Sequence, residues 1–307
     1  MLRRLLLYLS TAGWAKNVVT HFGLARRVAL RFVAGETMAD ALRVTRQLNE
    51  QGLLVTLDYL GESVASAEDT RDVVATYRAL LEEIHARQLQ AGISLKLTHL
   101  GLAISEALCQ TNLRHILTTA QTHNLPVTID MEGSAYTDIT LRIYRTMRDE
   151  YGFDNAGTVI QAYLYRSAED MRQLAAEGAH IRLCKGAYLE APEIAFPDKA
   201  DVDANYVRLA DAYLQAATDA YLCIATHDEN MIQAAQQSIR QHRVSPARYE
   251  FQTLYGIRSA KQAEIAAQGE KMRVYVPFGA AWYPYFMRRL AERPANLWFF
   301  LRALVGG

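Results

Sequence analysis

From residue 53 onward the chain switches eight times between a short β-branched or apolar run and a longer stretch that carries its charges on one face. The strand-like runs open at Leu53 (LLVTLDYLGE), Ile93 (ISLKLTHLG), Pro126 (PVTIDMEGS), Thr158 (TVIQAYLY), Ile181 (IRLCKGAYL), Tyr221 (YLCIATHDE), Tyr249 (YEFQTLYGI) and Met272 (MRVYVPFG). Between them, segments such as 66–90, 105–121 and 259–268 follow a helical period. Strict alternation predicts a parallel sheet, because each helix carries the chain back to the starting end of the next strand by a right-handed crossover. Eight such units predict an α/β fold of the closed (β/α)8, TIM-like type over residues 53–307, with residues 1–52 as an N-terminal helical lead-in. A doubly wound sheet competes with this reading. No G-x-G-x-x-G turn follows the first run, however, where a dinucleotide-binding domain of that kind needs one.

Half of the 307 residues are apolar, enough for a sizeable core, and 33 basic residues balance 33 acidic ones. A neutral chain with no basic stripe beyond residue 35 does not fit a nucleic-acid binder. Cys109, Cys184 and Cys223 are odd in number and far apart, with no CxxC pair, which predicts a reducing, cytoplasmic setting and no metal site. No apolar run is long enough to span a bilayer, and the opening MLRRLLLYLSTAGWA has too brief an apolar stretch for a secretion signal. The first 35 residues hold six basic side chains (Arg3, Arg4, Lys16, Arg26, Arg27, Arg31) and no acidic one. That asymmetry suits a solvated basic face on a packed lead-in first, and peripheral contact with an anionic membrane second.

Barrels of this kind build their sites at the carboxyl ends of the strands. Polar residues collect there: Asp58 and Glu62, Lys96 and Thr98, Asp130 and Glu132, Gln161, Arg182 and Lys185, Thr226 and His227, Gln252, and Tyr275. Polar side chains in parallel strands are costly to bury singly, so the set points to one pocket in which charges pair. The connection APEIAFPDKADVDANY after the fifth run is the longest and, with Pro192 and Pro197, reads as a lid over the barrel mouth. In YPYFMRRLAERPAN, Tyr285, Arg288, Arg289 and Glu292 fall on one helical face, and Pro294 ends the helix after about three turns. Two adjacent guanidiniums call for an anionic ligand, a carboxylate or a phosphate, with Glu292 one turn on as counter-charge. Lys96 adds a third cation, and Asp130 a second counter-charge. A strand-end lysine also suits Schiff-base chemistry, so the residues alone leave an aldolase-like or phosphate-handling barrel enzyme open.

The segment YFMRRLAER resembles the YxxRRxxER signature of proline dehydrogenases, and SLKLT, IDMEGS, VIQAYLY, IRLCKGAY, ATHDE and EFQTLYGI extend the likeness in order over about residues 55–300. The resemblance is to the monofunctional bacterial members. It implies a distorted (β/α)8 barrel that binds FAD, oxidises L-proline to Δ1-pyrroline-5-carboxylate and passes electrons to a membrane quinone. It also implies roles. Arg288, Arg289 and Lys96 hold the proline carboxylate, Glu292 steadies the arginines, and Tyr275 and Tyr285 wall the ring. Arg182 lies near flavin N5, and Gln161 meets the isoalloxazine edge. Lys185, Gly186, Ala187, Thr226 and His227 contact the rest of FAD, with Met131 and Gln252 alongside. Asp130 orients Arg182 or Lys96, or takes the amine proton.

Overall fold

The computed structural model describes residues 31–61, 64–216 and 219–292. Within them eight parallel strands pair in chain order, and the last closes on the first. The strands are β1 (Leu54–Tyr59), β2 (Ala91–Leu95), β3 (Val127–Ile129), β4 (Ala156–Gln161), β5 (His180–Cys184), β6 (Tyr221–Ala225), β7 (Tyr249–Leu254) and β8 (Met272–Phe278). Helix α1 (Met38–Asn49) precedes β1. The connecting helices are α2 (Ala67–Ala86), α3 (Glu106–Thr122), α4 (Thr137–Arg145), α5 (Ser167–Ala176), α6 (Lys199–Gln215), α7 (Glu229–His242) and α8 (Ser259–Ala267), and α9 (Trp282–Glu292) follows β8. All eight predicted strands are present, and the closed barrel replaces the competing doubly wound sheet.

Alternation along each strand sorts side chains by chemistry. Val55, Leu57, Ile93, Leu95, Val127, Ile129, Ile181, Leu183, Leu222, Ile224, Val274 and Val276 belong to the continuous apolar core formed with the helices. The intervening residues are polar: Thr56, Thr128, His180, Glu250, Gln252 and Arg273 line a small cavity inside the barrel. Strand residues two apart share a face, so the apolar set packs under the helices while the polar set fills the interior. Barrels more often fill that interior with branched apolar side chains. Helix tyrosines reinforce the outer layer: Tyr77, Tyr206 and Tyr213 are fully buried, and their hydroxyls donate to the strand-region carbonyls of Ser94, Leu183 and Ala179 at 3.1, 3.2 and 2.6 Å.

Two features depart from a regular barrel. Helix α1 packs against both β1 and β8, the slot that a helix after β8 fills in a regular barrel. The segment before α1 runs beside the end of β8, where Ala34 N donates to Pro277 O and Gly279 N donates to Gly35 O, both at 2.9 Å. Helix α9 packs on that segment, with Phe286 against Phe32 and Trp282 Nε1 donating to Glu36 Oε1 at 3.1 Å. It is described as far as Glu292; Pro294, which is expected to end it, lies outside the described residues. The connection expected to run as a lid to Tyr206 is shorter, because its second half winds into α6 from Lys199. Most of the basic lead-in and Glu62 also lie outside the described residues. Among those described, no helix is long and apolar enough to cross a membrane.

Candidate active site

Four ionisable side chains from four strands meet at the carboxyl end of the barrel. Asp58 stands near the end of β1, Lys96 just past β2, Asp130 just past β3 and Arg182 in β5, and all four are buried. Lys96 Nζ lies 3.2 Å from Asp58 Oδ2 and 3.7 Å from Asp130 Oδ2. Arg182 Nη1 donates to Asp130 Oδ1 at 2.7 Å. Ser94 Oγ donates to the same oxygen at 2.6 Å, and Tyr275 OH donates to Oδ2 at 2.9 Å. The Asp130 carboxylate thus takes three hydrogen bonds and an ion pair, near the capacity of its lone pairs. Burial raises the Asp58 carboxyl above its ordinary range; Lys96 pulls it back, and the nearby Asp130 charge adds to the rise. Burial, with Asp130 and Asp58 close by, pushes the Tyr275 hydroxyl far up, so it stays a neutral donor. The Arg182 guanidinium lies over the Tyr275 ring, 5.2 Å from its centroid.

Beside this cluster Gln161 ends β4. Its Nε2 donates to Met131 O at 3.4 Å, and its own carbonyl accepts from Ser167 Oγ at 2.6 Å. Among the described residues, Gln161 Oε1 and Arg182 Nη2 are buried polar atoms without a hydrogen-bond partner. An acceptor and a donor left unsatisfied at one barrel mouth fit a ligand that offers the converse groups, since leaving them so costs about 1–3 kcal/mol each. The edge of a flavin ring system does so.

A second group lies on the loops after β5 and β6. Lys185 Nζ bridges Asp203 Oδ1 at 2.7 Å and Asp228 Oδ2 at 3.1 Å. Asp228 in turn caps α7 by accepting from Asn230 N. Thr226 Oγ1 accepts from Asp228 N at 3.1 Å, and His227 Nε2 accepts from Leu254 N at 3.4 Å. Gly186 has φ +110°, and a Cβ there would sit 2.2 Å from the Tyr163 ring, so the turn requires glycine. Ala187 follows it, half-buried. The stretch expected to act as a lid is fastened: Tyr165 N donates to Ile194 O, Phe196 N to Tyr163 O, and Glu190 accepts from Ser134 N at 2.7 Å and Ser134 Oγ at 2.5 Å.

In α9, Tyr285 is buried, and the half-buried Arg289 lies over its ring, 5.1 Å from the centroid. The side chains of Arg288 and Glu292 are outside the described residues. Of the two counter-charges expected for the cation cluster, Asp130 does lie 3.7 Å from Lys96, and the structure adds Asp58, from the neighbouring strand, at 3.2 Å. Glu132, also collected among the strand ends, is occupied by Thr98, accepting from its N at 3.1 Å and its Oγ1 at 2.6 Å. Sequence reasoning missed Ser94, Glu190, Glu250 and Arg273. The period-two alternation was the available signal for Glu250 and Arg273, which share the inward face with Gln252 and Tyr275.

A parallel barrel whose carboxyl-end mouth holds buried, paired charges from several strands defines a barrel enzyme acting on a small polar molecule. A family model described as proline dehydrogenase matches residues 41–302. Proline dehydrogenase 1 of Bacillus subtilis subsp. natto is 43% identical over 305 residues, 99% of each chain. The proline dehydrogenase of Deinococcus radiodurans is 39% identical over 283 residues, 91% of each chain. In structure the chain is similar to proline utilization A from Bdellovibrio bacteriovorus, solved after inactivation by N-propargylglycine, with a TM-score of 0.81 and 26% identity. That match covers 87% of this chain and 33% of the other. The chain belongs to the proline dehydrogenase family and is an oxidoreductase of proline catabolism.

The interior charges predict how the fold responds to acid. Burial lowers His180 from 6.5 to about 4. Burial raises Glu250, but the paired Arg273 outweighs it and holds the carboxyl at about 2, against 4.5 unperturbed. In both windows the unfolded chain binds more protons than the native one, so stability rises with pH. It is fully present above 6.5; the His180 contribution is lost from 6.5 down to 4, and the Glu250 contribution from 4.5 down to 2. Thermal melts across this range should show Tm level near neutrality and falling by roughly 5 °C or more on acidification. A Tm that holds or rises between pH 6.5 and 4 contradicts the assignment.

Proposed function

We propose that this enzyme oxidises L-proline to Δ1-pyrroline-5-carboxylate with FAD as its resident oxidant. The observation that carries the reading is the unsatisfied pair at the barrel mouth, Gln161 Oε1 and Arg182 Nη2, in a chain of this family. When bound, FAD supplies a two-electron acceptor for the hydride that leaves proline C5.

The chain's own residues bind, orient and compensate charge. Gln161 and Arg182 meet the polar edge of the ring system, Arg182 placing a cation where negative charge collects during transfer. Met131 and Gln252 would lie beside it. Lys185, Gly186, Ala187, Thr226 and His227 would hold the remainder of the cofactor, with Gly186 making the turn that the Tyr163 ring leaves no room for a side chain to make. Arg288 and Arg289 clamp the proline carboxylate, Glu292 steadies them, and Lys96 contributes a cation already shared between Asp58 and Asp130. Tyr275 and Tyr285 confine the ring, which must present C5 at near-attack distance. Asp130 serves as the orienting group for Arg182, Lys96 and Tyr275, because its oxygens are already occupied by donors and leave little capacity to take the amine proton.

A membrane quinone would serve as the electron acceptor, which would suit a cytoplasmic enzyme held at the inner membrane face by the basic residues among the first 35. Deleting residues 1–30 should reduce co-flotation with anionic vesicles severalfold; unchanged flotation contradicts the docking role. For the reaction itself, the purified protein should be yellow, and its flavin absorption should bleach when L-proline is added without oxygen. A colourless protein that takes up no added flavin, or a flavin band that L-proline leaves unchanged, contradicts the reading.

A further inference from the structure

Arg182 is aimed from below. Its Nε donates to Gln252 Oε1 at 2.6 Å, and Gln252 Nε2 donates to Glu250 Oε1 at 2.6 Å. The two neighbours of this amide are chemically opposite: a guanidinium only donates and a carboxylate only accepts. One orientation of Gln252 satisfies both, and turning the amide over would set donor against donor and oxygen against oxygen. Glu250 is itself held by Arg273, whose Nε and Nη2 donate to Oε1 and Oε2 at 2.6 and 3.0 Å, and by Tyr221 OH at 3.1 Å. Arg273 Nη1 is tied to Val55 O at 3.0 Å. Glu250 and Gln252 are 2% and 4% exposed, so water does not compete for these bonds. A continuous relay therefore runs Arg273, Glu250, Gln252, Arg182, Asp130, from the interior of the barrel to its mouth.

We propose that Glu250, anchored by Arg273, is a positioning residue for the oxidation: it sets the orientation of the Gln252 amide, which turns the Arg182 guanidinium so that Nη2 faces the strand-end site. Glu250 lies two residues before Gln252 on the same inward face, one layer beneath the mouth, and acts through its neighbours. The proposal rests on the role given to Arg182 above.

The test is Glu250→Gln, which removes the obligate acceptor with little change in volume. The rate of flavin reduction by L-proline should fall roughly 10- to 100-fold, the range of a lost charge-assisted hydrogen bond, while proline affinity changes less than about 3-fold. The exchange E250Q/Q252E puts a carboxylate directly on Arg182 Nε with an amide beneath it, and should recover part of the rate lost in E250Q. A second readout needs no substrate. In protein labelled with ¹⁵N at arginine Nε, the slowly exchanging Nε–H signal that disappears in Arg182→Lys should exchange about tenfold faster in E250Q. If E250Q does not fold, Gln252→Leu, which leaves the Glu250–Arg273 pair in place, should give the same two changes. Wild-type reduction rate and wild-type Nε–H exchange in a folded variant overturn the proposal, as does an exchange variant no faster than E250Q. If proline fails to reduce the flavin of the unmutated protein, the functional reading fails instead, and the Nε–H exchange still decides the positioning role.

Discussion

Charges buried at the mouth of this barrel must cancel, and the site is organised around that requirement. Asp58, Lys96, Asp130 and Arg182 are each less than a tenth exposed. Leaving any one of them unpaired would cost about 3–5 kcal/mol, a large part of the stability of an ordinary domain. The solution is two carboxylates and two cations linked through Asp130, with Ser94 and Tyr275 satisfying the remaining carboxylate valences. Such a cluster is rigid and neutral. It can orient a guanidinium and an ammonium, but it offers an incoming anion little net attraction. Attraction for a carboxylate must then come from elsewhere, and in the proposed reading it falls to Arg288 and Arg289 of α9, the helix that follows β8 while α1 packs against β8 and β1.

The polar interior follows from the same economy of burial. Its outward strand residues join the helices in one apolar core, so the stability of the barrel does not depend on filling the centre with hydrocarbon. The centre is free to hold Thr56, Thr128, His180, Glu250, Gln252 and Arg273, provided that each ion is matched. Arg273 matches Glu250 there as Arg182 matches Asp130 above, which makes the interior two stacked layers of paired charge joined by Gln252.

Much of this was legible in the sequence. Eight alternating runs yielded the barrel because strand and helix periods are local properties of the chain. Strand ends yielded Lys96, Asp130, Arg182, Gln252 and Tyr275, which the fold does bring into contact. The partners were not legible. Asp58 was visible as a strand-end acid, yet its pairing with Lys96 depends on the register of β1 against β2, a tertiary fact. Glu250 and Arg273 lie one layer below the strand ends, away from the carboxyl-end positions where sites in such barrels form. The course of α1 into the closing slot also depends on long-range packing, as the helix itself looks like any amphipathic lead-in. The winding of Lys199 onward into α6 turned on local helix propensity that the two prolines upstream obscured.

The most direct measurement of the charge arrangement compares L-proline with pyrrolidine, the same ring without the carboxylate, as reductants of the proposed flavin in the unmutated enzyme and in Arg289→Met. If the strand-end cluster is neutral and α9 supplies the attraction, the variant should lose about 100-fold or more in kcat/KM for L-proline and stay within about 3-fold for pyrrolidine. Equal losses for the two amines, or no loss for L-proline, would contradict it.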